Sequence, residues 1–383
     1  MTLVPLELGH GLQEPVDLAG RTPLHPAPGV GSPAQRMRHT RPMQIRMLDP
    51  ADDRAVTGAI ALKEAVRAAD APEYPRAVEQ SLRAALLRPR PGLDVAHWTA
   101  IEDGGTIGYL SVSLFTDDNP HLAAAELMVH PDHRRRGHGA ALLRRCIDFA
   151  AANGRTALVL RTPARWSDGP PRPEAGAKFL EGNGFAVSFV NVRSRFHLSA
   201  LEPEAEQRLW ARSVAASGPD YELRTWTGPA PDDLFASLCR LDAKRRTEIP
   251  MGDMQLEAEA VDLGRAREKE DVLTAVHQVP VKAAAVHRTT GRVAAFTDLR
   301  AFEDPDTAHA FQDLTIVDPA HRGHRLGLLV KLANLRQTRR RFPQIKEIWA
   351  ENADVNERMI AINTALGFRT VDAVSVYQRR LQH

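Results

Sequence analysis

Apolar residues alternate in short runs and recur at helical spacing, in turn, along most of the chain. Period-two runs predict strands at 44–48, 94–101, 107–115, 123–129 and 156–161. Between them, helical spacing predicts helices at 51–69, 75–87 and 174–182, and one after Gly139 carried by Leu142, Leu143, Cys146, Ile147 and Ala150. Glu102-Asp-Gly-Gly105 reads as a hairpin, and Asn183-Gly184-Phe185 closes a helix and begins the last strands of this part. A polar, helix-like connection follows at 201–220, ending at Ser217-Gly-Pro219. The order then starts again: a strand at 221–226, a helix at 231–245, charged helical sequence at 255–271, strands at 281–287, 293–300 and 312–317, a helix, a strand at 345–350 and a helix at 356–365. The pattern predicts two α/β domains, 43–200 and 221–383, joined by a linker at 201–220. Residues 1–42, rich in Pro and Gly, are expected to form a disordered tail.

Both halves carry one motif at one place. Val129-His-Pro-Asp-His-Arg-Arg-Arg-Gly-His-Gly139 aligns without a gap with Val317-Asp-Pro-Ala-His-Arg-Gly-His-Arg-Leu-Gly327, with five identities in eleven positions. This marks an internal duplication. In each copy a strand runs through a basic turn into a helix. Backbone N–H groups at a helix start, together with the helix dipole, favour an anion, and glycine lets a phosphate approach the backbone. The arginines of the turn favour a polyanionic ligand.

Composition narrows the choice of function. Apolar content is 43%, charged content 26% and net charge +2, values of a globular protein without the overall basic charge of a nucleic-acid or membrane binder. No apolar run is long enough to span a membrane, and the chain reads as cytoplasmic. The two cysteines, Cys146 and Cys239, read as small buried residues. No CxxC or HExxH spacing is present, so no metal is expected.

Arg134-x-x-Gly137-x-Gly139 and the paired Gly184-Phe185 and Gly367-Phe368 resemble the signature and closing motif of the GCN5-related N-acetyltransferases (GNAT). The resemblance covers nearly all of the chain outside the tail and is to tandem, two-domain members of the mycothiol synthase type. It implies two GNAT domains, each a mixed sheet that splays after its fourth strand. It also implies acetyl-CoA as donor and a primary amine of a small molecule as acceptor, with no nucleic acid or membrane partner, in a monomer or homodimer. By position, Met128 and Val129 would pair with the pantetheine, and Arg134, Arg135, Arg136, Gly137, His138, Gly139 and Ala140 would hold the pyrophosphate. In the second half Ile316 and Val317 would pair, and Arg322, Gly323, His324, Arg325, Leu326, Gly327 and Leu328 would form the cradle. Asn352 and Asn356 would contact the pantetheine arm, or else serve as turn and cap. Arg325 stands where the signature has its first glycine, so it either obstructs close approach or contacts phosphate itself. The family's usual tyrosine is replaced by Leu180 and Asn363.

Acetyl transfer requires that an ammonium lose a proton, and Glu126, three residues before Val129 on the central strand, is the candidate base. Leu314 takes that position in the second half, with Asp313 and Glu351 as weaker candidates there. A thiol pKa near 8.5 lets the thiolate leave without a strong acid, so the missing tyrosines do not exclude catalysis. The competing readings are a non-catalytic acyl-CoA sensor or scaffold, and catalysis by the second half with a structural first half.

Overall fold

The computed structural model describes residues 43–381 apart from 249–260 and Val355. The tail at 1–42 and the start of the charged stretch at 255–271 lie outside the described residues. Among the described residues, twelve strands form one mixed sheet with helices on both faces.

The first half begins with β1 (Gln44–Met47), followed by α1 (Asp53–Asp70) and α2 (Glu79–Leu87). Asp52 caps α1 by accepting from the N–H groups of Arg54 and Ala55. Next come β2 (Leu93–Glu102) and β3 (Gly105–Phe115), joined by Asp103 and Gly104, both at positive φ. Two left-handed residues match the twist of the flanking strands, which is why Asp-Gly marks this hairpin. β4 (Leu122–Val129) leads to α3 (His138–Ala152), then β5 (Ala157–Ala164), α4 (Ala175–Gly182) and β6 (Ala186–His197). Side-chain alternation divides the core. Leu110 and Val112 pack with Leu142, Leu143 and Cys146 of α3, while Tyr109 and Met128 pack under Val56, Ala59 and Leu62 of α1.

The polar connection is a helix, α5 (Pro203–Ser217). The second half follows with β7 (Tyr221–Thr227), α6 (Asp232–Glu248), α7 (Leu263–Ala275), β8 (Gln278–His287), β9 (Val293–Phe302), β10 (His309–Val317), α8 (Leu326–Arg341), β11 (Glu347–Ala353), α9 (Glu357–Leu366) and β12 (Arg369–Arg380). α5 covers the outer side of α8. The Arg336 guanidinium lies 3.9 Å over the Trp210 ring and donates to Glu206 at 2.7 Å. Arg339 also pairs with Glu206 and donates to the Leu198 carbonyl, so the basic end of α8 is fastened to the first half.

Both halves splay at the same place. β4 and β5 run parallel and pair from Leu122 to Ala125, after which β4 keeps only β3. β10 and β11 pair from His309 to Gln312 and then part at a bulge before Leu314. The Gly-Phe closures are helix C-caps. The N–H of Phe185 reaches the Leu180 carbonyl at 3.1 Å, and that of Phe368 reaches Asn363 at 3.0 Å, across left-handed Gly184 and Gly367. The residues in the family's tyrosine position thus supply capping carbonyls.

Each half contributes one closing strand, and the two strands are exchanged. The sheet order is β1-β2-β3-β4-β5-β12-β6-β11-β10-β9-β8-β7. β12 lies between β5 and β6, and β6 lies between β12 and β11, all antiparallel. Tyr377 of β12 belongs to the apolar core of the first half, and Phe196 of β6 to that of the second.

At the exchange, Asp372 is 1% exposed and accepts from two buried arginines. Arg193 Nε on β6 donates to Oδ1 at 2.6 Å, and Arg172 Nε donates to Oδ2 at 2.6 Å. Arg172 extends to Glu73 at 2.8 Å. Removing the shared carboxylate leaves the buried Arg193 without its acidic partner and Arg172 with Glu73 alone, a loss of about 3–5 kcal/mol. Asp372→Ala should lower the unfolding free energy in urea by that amount; a change under about 1 kcal/mol would show that Asp372 is not what holds the exchanged strands.

Candidate active site

After Val129, a single 3₁₀ turn (Pro131–His133) brings the chain to Arg134 in extended conformation. Arg135 (φ 63°) and Gly137 (φ 88°) are both left-handed, and α3 starts at His138. Alternation of left-handed residues turns successive N–H groups to one side, and the first N–H groups of α3 have no partner within the helix. A Cβ on Gly137 would meet nothing within 4 Å, so this face of the turn is open. Arg135, Arg136 and Ala140 are exposed here, and Gly139 is half-buried against Phe179.

Arg134 has a different task from the one its place in the motif suggests. Its guanidinium makes a two-pronged pair with Asp70 at the end of α1, at 2.7 and 2.8 Å, and Nε donates to the Val129 carbonyl at 3.2 Å. It braces the turn against α1, leaving Arg135 and Arg136 as the exposed cations.

The second turn repeats this backbone. Arg322 (φ −70°, ψ 159°) matches Arg134 (φ −68°, ψ 159°). Gly323 (φ 91°) and Arg325 (φ 54°) are the left-handed pair. Glycine and arginine have traded places, so each turn holds one of each at its two left-handed positions. Arg325 leaves the turn's conformation intact at a strain of about 1–2 kcal/mol, with its side chain exposed beside Arg322 and His324. Leu326, Gly327 and Leu328 are buried in the first turn of α8.

On the splayed strands, Met128 is 4% and Ile316 8% exposed, while Val129 and Val317 are half-buried. Asn352 lies on β11 opposite Val192, and Asn356 caps α9 through its bond from the Met359 N–H at 3.2 Å.

Glu126 is buried and ion-paired with Lys63 of α1. The Lys63 ammonium also sits 4.2 Å over the Tyr109 ring, and the Tyr109 hydroxyl meets His97 Nδ1 at 2.8 Å. Burial, reinforced by the Lys63 charge, pulls His97 down to about 4, so His97 is neutral at physiological pH. Burial, then the Glu126 charge, push Tyr109 far up, so it keeps its proton. Lys63 and its neighbours Thr57, Ile60, Glu64, Arg67, Arg76 and Glu79 line a cavity of about 300 Å³ between α1 and the start of α2.

In the second half Asp313 pairs with Arg300 at 3.0 Å, and Glu351 pairs with Arg161 of β5 and accepts from Asn191 at 2.8 Å. Lys331 of α8 is fully buried, donates to Gln312 at 3.0 Å, and is pulled down to about 7 by burial. Sequence reasoning passed over Lys63, Asp70 and Lys331. The signal for Lys63 and Lys331 was a lone lysine on a helix face that is otherwise apolar.

Residues 61–165 match the acetyltransferase (GNAT) family model. The whole fold matches a tandem GNAT protein of the clavulanic acid biosynthesis pathway, with TM-score 0.77 and 27% identity over 89% of this chain and 99% of that one. The chain has the GNAT fold, in its tandem form. A GNAT from Sphaerobacter thermophilus shares the fold at TM-score 0.61 and 14% identity. Mycothiol acetyltransferases are similar in sequence: 33% identity with that of Kineococcus radiotolerans, over 40% of this chain and 53% of the relative. That of Parafrankia sp. is 31% identical, over 42% and 43%. The chain thus spans about half the length of these curated relatives. The family's donor is acetyl-CoA, whose pyrophosphate is an anion of the kind that both turns of this chain suit.

Gly137→Glu places a side chain at a left-handed position and a negative charge on the open face of the first turn. Calorimetry should show one acetyl-CoA binding event lost, with circular dichroism unchanged. Retention of all binding events at full affinity would remove the first turn as a donor site.

Proposed function

We propose that this protein transfers the acetyl group of acetyl-CoA to a primary amine of a small-molecule acceptor, and that the first of its two domains, 43–200, does the chemistry. The observation that carries this reading is the arrangement around β4. Beyond Ala125 the strand has an open side, it ends in a turn of upturned N–H groups, and Glu126 is ion-paired with Lys63, which lines a cavity of small-molecule size. With the donor along the open strand, an amine entering by the cavity meets the thioester carbonyl. Its nitrogen attacks, the C–S bond breaks, and the CoA thiolate leaves unaided by a strong acid. Glu126 receives the ammonium proton, with Lys63 fixing the carboxylate in place. Pantetheine pairing by Met128 and Val129, and pyrophosphate binding by the turn at 135–140, complete the donor site. The relatives' names make acceptors related to mycothiol suitable for a first screen.

One observation favours a second reading. The Glu126 carboxylate is already engaged by Lys63 in a buried ion pair, as suits a domain that binds acyl-CoA without turning it over.

Thiol release from acetyl-CoA, measured with an amine library, separates the two. Glu126→Gln should lower turnover roughly 10²–10⁴-fold, the usual effect of losing a general base. Near-normal turnover in that variant, combined with loss in Gly323→Glu, would assign the chemistry to the second half. Absence of thiol release with every amine would favour the sensor.

A further inference from the structure

We infer that the first half carries a divalent transition-metal site formed by Glu102, His133 and His138. Glu102 ends β2 at the hairpin, His133 lies in the 3₁₀ turn, and His138 is the first residue of α3. One ligand atom from each lies within 4.8 Å of the others. His133 Nδ1 is 3.2 Å from Glu102 Oε2. Tetrahedral zinc with bonds of about 2.0–2.1 Å places its ligand atoms about 3.4 Å apart, so this pair already has the required spacing. The remaining ligand atoms lie within 4.8 Å, so closure by up to about 1.4 Å through side-chain rotation would bring in His138 as the third ligand.

An independent observation points to a ligand. His138 is 8% exposed, and its Nε2 atom is buried with no hydrogen-bond partner among the described residues. Leaving such a group unpaired costs about 1–3 kcal/mol, and a coordinated ion would satisfy it.

The duplicated half is an internal control. Strand register puts His287 in the place of Glu102, and the aligned turns put His321 and Leu326 in the places of His133 and His138. Where leucine replaces the third ligand, the Tyr221 hydroxyl meets His321 Nδ1 at 2.8 Å. The second site is closed by a tyrosine, whereas the first keeps three convergent donors. Two imidazoles and a carboxylate suit Zn²⁺ and its neighbours in the first transition row rather than Mg²⁺ or Ca²⁺. The ion would clamp both ends of the basic turn to the β2–β3 hairpin and leave a coordination position for water.

The test titrates Zn²⁺ into metal-stripped full-length protein by calorimetry, without acetyl-CoA, so its outcome does not depend on the proposed reaction. One Zn²⁺ should bind per chain. His138→Leu, which copies the residue of the second half, should weaken binding by more than about 100-fold, beyond the loss typical of an outer-shell partner. Glu102→Gln, on the half-exposed hairpin, provides the same check if the first variant fails to fold, and His321→Leu should leave binding unchanged. Co²⁺ should give the visible bands of a low-coordinate site in the wild type and lose them in both first-half variants. Absence of Zn²⁺ binding, or binding that persists undiminished in His138→Leu and Glu102→Gln, would overturn the site.

Discussion

Asp372 is the point on which the architecture turns. Its carboxylate holds Arg193 of the first half and Arg172 of the loop before α4 in a setting closed to water. Such a cluster is costly to bury, and replacing it with apolar groups of the same shape could be neutral. Its value is specificity of pairing. β6 and β12 are both twelve-residue strands that mix apolar and polar residues, and each closes one half of a duplicated chain. An aspartate that must meet two fixed cations ties β12 to one register, at the bulge between Thr370 and Asp372. That register in turn sets the Tyr377 hydroxyl against Glu181 at 2.9 Å and Arg379 against the Asn183 carbonyl, which position α4.

Duplication has kept backbone shape more strictly than side chains. The two basic turns agree in their dihedral angles although arginine and glycine are interchanged at the left-handed positions. What a polyanion needs from such a turn is the direction of its N–H groups, and that follows from φ and ψ rather than from residue identity. The chemistry around the turns has drifted further. Glu126 with its Lys63 partner has become Leu314 in one half, while Lys331 stands where the other half has Leu143.

Most of the secondary structure was legible because both halves obey simple periods: alternation in 107–115, helical spacing from Leu142 to Ala150, and Asp-Gly in the hairpin. The polar stretch at 201–220 also read as helical, but nothing in it announced that it would cover α8. That helix buries Asn334, Gln337 and Thr338 as well as leucines, each polar group bonded to a carbonyl, so it lacks a polar face. The site was legible where it is local, in the turn and its helix. It was illegible where it depends on partners distant in sequence: Lys63 for Glu126, Asp70 for Arg134, Glu102 for His133. Strand exchange is hidden for the same reason, since β6 and β12 look alike to any local rule.

The exchange also fixes an order of events during synthesis. A domain whose strands are contiguous can fold while the rest of the chain is still being made. Here the first half has β1 to β5 in place early, but β5 gains its outer neighbour only when the last element, β12, has been translated. Until then β5, paired only with β4, and β6, with only β11 to pair with, each present one open edge of the kind that recruits other chains. Insertion of β12 between β5 and β6 thus joins the closure of the two halves into one step.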